Sequence, residues 1–146
     1  MQIPEIPELG AFRFQTKRST RWSDEDTQGV VNNAVYMTLL EEARFDYFSS
    51  LGLVEDNAFP FVLMQTNIRF LSPLRGGQKV TVALRTLEMG NSSIRQVSRI
   101  LSVDSGQVLV EAEVLLVSWS NEDRCKVPIA GEFRDRVSLF EGLGKE

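Results

Sequence analysis

The chain has 146 residues, close to the roughly 150 that one domain takes, and is long enough to bury a core without disulfides. Sixteen Lys plus Arg against twenty Asp plus Glu leave a net charge of −4, which argues against a duplex-DNA binder, and the 42% apolar and 25% charged shares are those of a globular protein. There is no histidine and one cysteine, Cys125, which excludes a Ser-His-Asp or Cys-His triad, a His-based zinc site and an intrachain disulfide.

Residues 1–10, with two prolines and a glycine, read as an extended lead-in that lacks the basic start and apolar core of a signal peptide. No stretch nears the roughly 18 apolar residues of a membrane span. A cytoplasmic protein is expected. Phe12–Trp22, rich in aromatic residues and Thr, reads as a strand that ends in the acidic turn Ser23–Gly29. Asn32 and Asn33 offer an N-cap for a helix over Ala34–Ser50. In it Tyr36, Leu40, Ala43 and Tyr47 recur at helical spacing, and Val35, Leu39 and Phe48 widen the stripe. Thr38, Glu42, Asp46 and Ser49 leave a narrow polar edge, so other structure covers most of the helix. Gly52 is the stop signal.

Beyond Pro60 the period changes from 3.6 to 2. Phe61–Leu71 reads as a strand closed by Ser72-Pro73 and Gly76-Gly77, and Lys79–Leu87 alternates with Val80, Val82 and Leu84 on one face. Met89-Gly90-Asn91 turns into Ser93–Val103, a less regular strand, and Asp104-Ser105-Gly106 signals a second hairpin. Val108, Val110, Ala112, Val114 and Leu116 then face one way, with Glu111 and Glu113 facing the other. Ala130–Phe140 reads as a short helix. Strand, long helix and four further strands predict a single α+β domain over residues 1–146, its helix lying across an antiparallel sheet whose other face is partly polar.

With histidine absent, an acid or base must be a carboxylate, Lys, Tyr or a water held by one of them. Arg21–Arg44, RWSDEDTQGVVNNAVYMTLLEEAR, sets carboxylates in a turn just before a helix N-terminus. The first N–H groups of a helix lack internal partners, and the macrodipole favours a polarised oxygen there. A nearby carboxylate attacks an acyl carbon lodged at that terminus or activates a water, giving an acyl-transfer site without histidine.

This segment resembles the hotdog-fold acyl thioesterases of the 4-hydroxybenzoyl-CoA thioesterase family. Asp24, Asp26 and Gly29 match the motif D-x-D-x-x-G, with Val30, Val31, Asn32, Asn33 and Tyr36 following in register and Leu40–Arg44 as its L-E-E-A-R ending. Ile68-Arg69-Phe70-Leu71, Pro73, Gly77 and Val80 are similar to the family's second strand and turn, and the likeness spans roughly residues 12–120. It implies a hotdog fold, a long helix wrapped by an antiparallel sheet. It also implies hydrolysis of an acyl-CoA or acyl-ACP thioester, with Asp26 as nucleophile or as general base on water. The backbone N–H near Asn33 would face the thioester oxygen, and Gly29, Asn32, Asn33, Tyr36, Ser92 and Ser93 are assigned to substrate binding. Loss of an oxyanion donor costs on the order of 10²–10³ in rate, and general-base help contributes roughly 10²–10⁴. No cofactor, metal, nucleic acid or membrane is expected, and the assembly implied is a homodimer or homotetramer with the active site at an interface.

One departure bears on the substrate. Met89–Ser93 lies where some relatives hold basic residues against the nucleotide phosphates of coenzyme A, and here it carries no charge; Arg75, Lys79 and Arg95 are near in sequence. An acyl carrier protein is therefore a donor to weigh beside coenzyme A. Asp24 and Glu25 read as turn residues, Asn32 and Asn33 as caps as readily as site residues, and Glu41 as part of a solvated helix face. Tyr36 reads as core with a satisfied hydroxyl, Cys125 as a spectator thiol, and Phe59, Phe61, Met64 and Phe70 as core or as an acyl tunnel. The alternative function is a non-catalytic acyl-CoA-binding or regulatory hotdog domain. A hotdog hydratase is disfavoured by the missing histidine.

Overall fold

The Asn32 side chain starts the long helix. In a computed structural model, which describes Ile6 and residues 9–56 and 58–144, its Oδ1 accepts the Ala34 N–H at 2.9 Å and α1 runs Asn33–Ser50. At the far end Gly52 takes φ +71°; its N–H donates to the Ser49 carbonyl and the Leu53 N–H to the Phe48 carbonyl, both at 3.0 Å, which is a Schellman stop. No helix of the described residues is long and apolar enough to cross a membrane.

Strand β1 is Phe14–Ser19, followed after α1 by β2 (Phe61–Phe70), β3 (Lys79–Met89), β4 (Ser93–Ser102), β5 (Val108–Ser120), the two-residue β6 (Cys125–Lys126) and α2 (Gly131–Glu141). The sheet is antiparallel in the order β1-β3-β4-β5-β2, with β6 on the end of β5, so β1 and β2 are its edges. This is the expected α+β hotdog fold. The first strand is shorter than Phe12–Trp22 because Trp22–Asp24 close into a 3₁₀ turn, with the Asp24 N–H on the Arg21 carbonyl at 3.0 Å. The strand β6 has no signal in the periodicity. Most of the expected lead-in lies outside the described residues; Ile6 is buried with Phe12, Ala83 and Val97.

Helix α1 divides the core into two ends. Its first half, with Val31 and Tyr36, packs on Val80, Val82, Ile100 and Val110. Its second half buries Tyr47 and Phe48 among Leu84, Ile94, Leu116 and Phe133 of α2. Phe48 is fully buried, with its ring 5.0 Å from both Tyr47 and Phe133, and burial of such a side chain contributes about 1.5–3 kcal/mol. A bulge opposite Ile100 and Leu101 corrects the expected alternation of β5: Leu109 is as buried as Val110, because the pairing shifts there. The opposite face of the sheet is partly polar, as expected, and not solvated throughout. Glu111 is only 8% exposed and is paired with Arg99 at 3.1 Å and with Arg69, while Arg95 bridges Glu113 at 2.7 Å and Glu88 at 2.8 Å.

Candidate active site

The turn before α1 is built by its own backbone. The Asp26 N–H donates to the Val30 carbonyl at 2.9 Å, the Gly29 N–H returns to the Asp26 carbonyl at 3.0 Å, and Gly29 supplies φ +75°. Two of the three acidic residues hold this turn in place. Asp24 is buried and its carboxylate accepts the Arg21 backbone N–H at 2.7 Å and the Arg21 guanidinium at 3.1 Å. Glu25 accepts the Gly76 N–H at 3.0 Å, tying the turn to the loop between β2 and β3. Both are turn residues, as expected. Asp26 differs: one oxygen accepts the Gln28 N–H at 2.8 Å, the second is open among the described residues, and the side chain is exposed.

The loop after β2 locks this geometry. The Val31 N–H donates to the Leu74 carbonyl at 2.8 Å, and Gly76 lies so close that a Cβ there would stand 2.4 Å from the Arg21 carbonyl and 2.8 Å from the Trp22 Cα. Backbone atoms cannot step aside as a flexible side chain would. Gly76→Ala should therefore lower stability by about 1–3 kcal/mol, read as a lower urea midpoint, and an unchanged midpoint would show that the two loops are not in contact.

Asn32, Asn33 and Tyr36 meet at the helix start. Asn32 caps Ala34 through its side chain and takes the Val35 N–H on its carbonyl at 2.9 Å; neither bond uses the Asn33 N–H. Asn33 lines a cleft of about 230 Å³ with Val30, Val31, Tyr36 and the stretch Phe70–Pro73. The Tyr36 ring is 2% exposed and packs on Phe70 with centroids 5.9 Å apart, but its hydroxyl is out of solvent with no hydrogen-bond partner among the described residues. That corrects the expected satisfied hydroxyl. Burial pushes the phenol's pKa up, so the group stays a neutral donor. Periodicity gives Leu71, Ser72 and Pro73 only as the end of a strand, with no sign that they wall a cleft.

Ser92 and Ser93 lie elsewhere. Ser92 ends the turn between β3 and β4 and Ser93 opens β4, beside Ile94 and Ser118 at the Phe48 end of the core, where the Ser92 carbonyl takes the Ser118 N–H at 2.7 Å. Within one chain they do not join Asp26. Arg134 of α2 holds this uncharged turn through the Gly90 carbonyl at 2.7 Å. Of the basic residues near in sequence, Arg95 is engaged by Glu88 and Glu113, and Arg75 stands 3.8 Å from Glu25. Phe61 is core, Phe59 half-buried, and Met64 and Phe70 are exposed at 61% and 40%. A larger hollow of about 350 Å³ opens between Gly52, Phe59 and the start of α2, but it lacks both the open aspartate and the unpaired phenol.

The Asn33 helix terminus and the unpartnered Tyr36 phenol line one cleft, and the open carboxylate of Asp26 belongs to the turn that ends at Val30, which lines the same cleft, an arrangement suited to a polarised carbonyl. Residues 20–137 match the Thioesterase-like superfamily. The chain belongs to that family. Its fold agrees with a solved thioesterase from Thermus thermophilus, complexed with coenzyme A and Zn, at a TM-score of 0.80 and 28% identity over 92% of this chain and 98% of that one. The long-chain acyl-CoA thioesterase FadM of Escherichia coli is 27% identical over 134 residues, 85% of this chain and 96% of its own length. A chloroplastic acyl-acyl carrier protein thioesterase of Arabidopsis thaliana is 29% identical over 119 residues, 79% of this chain. The chain spans 62% of that plant relative's length and 63% of a second one's.

Proposed function

We propose that the chain hydrolyses acyl thioesters of coenzyme A or of an acyl carrier protein to the free acid and thiol. The open carboxylate of Asp26, on a turn whose Val30 shares a cleft with Asn33 and Tyr36, carries this reading. Asp26 either attacks the carbonyl carbon, giving a mixed anhydride that water then cleaves, or takes a proton from the attacking water. In both routes the bond broken is carbonyl carbon to sulfur, and the helix terminus stabilises negative charge on the oxygen. A thioester is already activated, so these groups are adequate without an imidazole. The relatives' names support the substrate class.

The active unit is two chains. The edge strand β2 leaves Leu63, Met64 and Phe70 exposed, with Leu71 just beyond its end, and an open edge of this kind invites pairing with another strand. Antiparallel pairing of β2 with its copy brings the Phe61 end of one chain, where Ser92 and Ser93 lie, toward the Phe70 end of the other, where the cleft of Asn33 and Tyr36 opens. The two serines then belong to the partner's site, at the substrate's carrier end. A panel of acyl-CoA and acyl-ACP thioesters with thiol release as the readout tests the reading. Release from one carrier class is the expected result. Binding of acyl-CoA without release from any substrate would favour the non-catalytic alternative.

A further inference from the structure

Trp22, four positions before Asp26, is 82% exposed, more than any other large apolar side chain among the described residues. A lone exposed apolar residue is ordinary; this one is set apart by how firmly its backbone is held. The Trp22 carbonyl takes the Glu25 N–H at 3.2 Å, and Gly76 of the loop after β2 packs on the Trp22 Cα, where a Cβ would come within 2.8 Å. Two loops thus fix the base of the indole while its ring faces water.

Two arginines flank it. Arg21 precedes it in the chain, and the Gly76 contact brings Arg75 alongside, with the Arg75 carbonyl 3.3 Å from the Thr20 hydroxyl. Their side chains are 79% and 78% exposed, whereas Asp24 beside the first is buried and Glu25 beside the second is half-buried. Each acid orients its arginine without occupying all of its donors. Asp24 engages Nε and Nη2 of Arg21, and Arg75 stands 3.8 Å from Glu25 with no side-chain hydrogen bond among the described residues. The remaining N–H groups face solvent as donors for an oxyanion.

We infer that Trp22, Arg21 and Arg75 seat the nucleotide of coenzyme A, the indole stacking on the purine and the arginines meeting its phosphates. The inference rests on the hydrolysis reading above and chooses coenzyme A over an acyl carrier protein. Stacking of a base on an aromatic side chain is typically worth on the order of 10–100-fold in affinity, and arginine pairs its N–H groups with phosphate oxygens. A carrier protein fits less well: one exposed ring offers it little contact area, and a net charge of −4 opposes an acidic partner. Arg75 is two positions beyond Pro73, which walls the cleft of Asn33 and Tyr36, so the seat adjoins both loops that build the site. It also accounts for the uncharged turn Met89–Ser93, because the phosphates are met beside the Asp26 turn instead.

Trp22 itself reports the outcome. The chain has two tryptophans, so Trp119→Phe leaves Trp22 as the sole indole. Its fluorescence should be quenched saturably by coenzyme A and not by pantetheine, which lacks the nucleotide. In calorimetry Trp22→Ala should bind coenzyme A ~10–100-fold more weakly, and Trp22→Phe should recover part of that loss. Arg75→Gln should weaken coenzyme A and leave pantetheine unaffected. In hydrolysis Trp22→Ala should raise KM for acyl-CoA at near-constant kcat while acyl-pantetheine and acyl-ACP are handled as by the wild type. Trp22 and Arg75 are exposed, so these variants should fold. Absent quenching by coenzyme A, equal quenching by pantetheine, or unchanged coenzyme A affinity in Trp22→Ala each overturns the inference. A matching rise of KM for acyl-ACP overturns it too and assigns the patch to a protein partner. Titration needs no turnover, so coenzyme A held by Trp22 without thiol release counts against hydrolysis and not against the seat.

Discussion

Asp26→Asn is expected to lower kcat for thioester hydrolysis by roughly 10²–10⁴ while KM moves only a few-fold. Asparagine keeps an oxygen at the position that accepts the Gln28 N–H, so the turn from Asp26 to Val30 survives the change. What is lost is the charge on the open oxygen, which in the proposed mechanism attacks the carbonyl or takes water's proton. Asp24→Asn serves as the contrast: that carboxylate is spent on the Arg21 N–H and guanidinium, and its loss should act on stability first. The two variants together separate a reacting carboxylate from a supporting one. Hydrolysis by Asp26→Asn within tenfold of wild type would remove Asp26 from the reaction and leave the cleft without its nucleophile or base.

The turn and the helix start are legible in the sequence because their chemistry is local. Asn32 as a cap and Gly52 as a stop act within a few residues of themselves, and so does the D-x-x-G turn that Gly29 closes with its positive φ. What depends on partners far along the chain is not legible. Alternation places Glu111 on the side of β5 away from the helix, which is correct, but it cannot show Arg69 and Arg99 waiting there to bury it. The same limit applies to β2. Its sequence reads as any strand, and only the sheet order shows that one flank of it is open. Helical spacing places Tyr36 correctly, whereas the state of its hydroxyl depends on Phe70 and on a loop more than thirty residues away. Ser92 and Ser93, by contrast, are grouped with Asp26 through resemblance alone. The fold puts them at opposite ends of one sheet, and in the proposed pair a second chain reunites them.

The largest effect on stability is expected at Glu141, far from the cleft. Gln96 donates to the Thr86 hydroxyl at 3.1 Å, that hydroxyl bonds the Tyr47 hydroxyl at 2.9 Å, and Tyr47 donates to the Glu141 carboxylate at 2.8 Å. The same carboxylate oxygen accepts the Thr86 backbone N–H at 3.1 Å. All four side chains are buried, so this chain of bonds fastens α2 to α1 and to β3 from inside the core. Glu141→Ala removes an acceptor from two buried donors and should cost about 2–4 kcal/mol of unfolding free energy. Glu141→Gln keeps the accepting oxygen and should cost far less.

The pH dependence distinguishes the roles of charge and hydrogen bond. Desolvation raises the Glu141 pKa above the ordinary carboxylate value, and the bonds from Tyr47 and Thr86, with Arg85 and Arg13 nearby, only partly offset it. In the pH window between the unfolded and folded pKa values the folded chain therefore holds more protons than the unfolded one, so stability falls as pH rises through it. The stabilisation is complete below the unfolded pKa and is lost once the pH passes the raised folded pKa. Burial also raises the Tyr47 pKa, which keeps that phenol a donor throughout the window. Glu141→Gln cannot ionise and should lack this slope. Urea unfolding of both proteins from pH 4 to pH 8 should thus show the wild type losing ground to Glu141→Gln as the pH rises. Parallel curves would mean that the carboxylate is ionised at no cost in the fold, and that its burial is relieved by Arg85 and Arg13 instead.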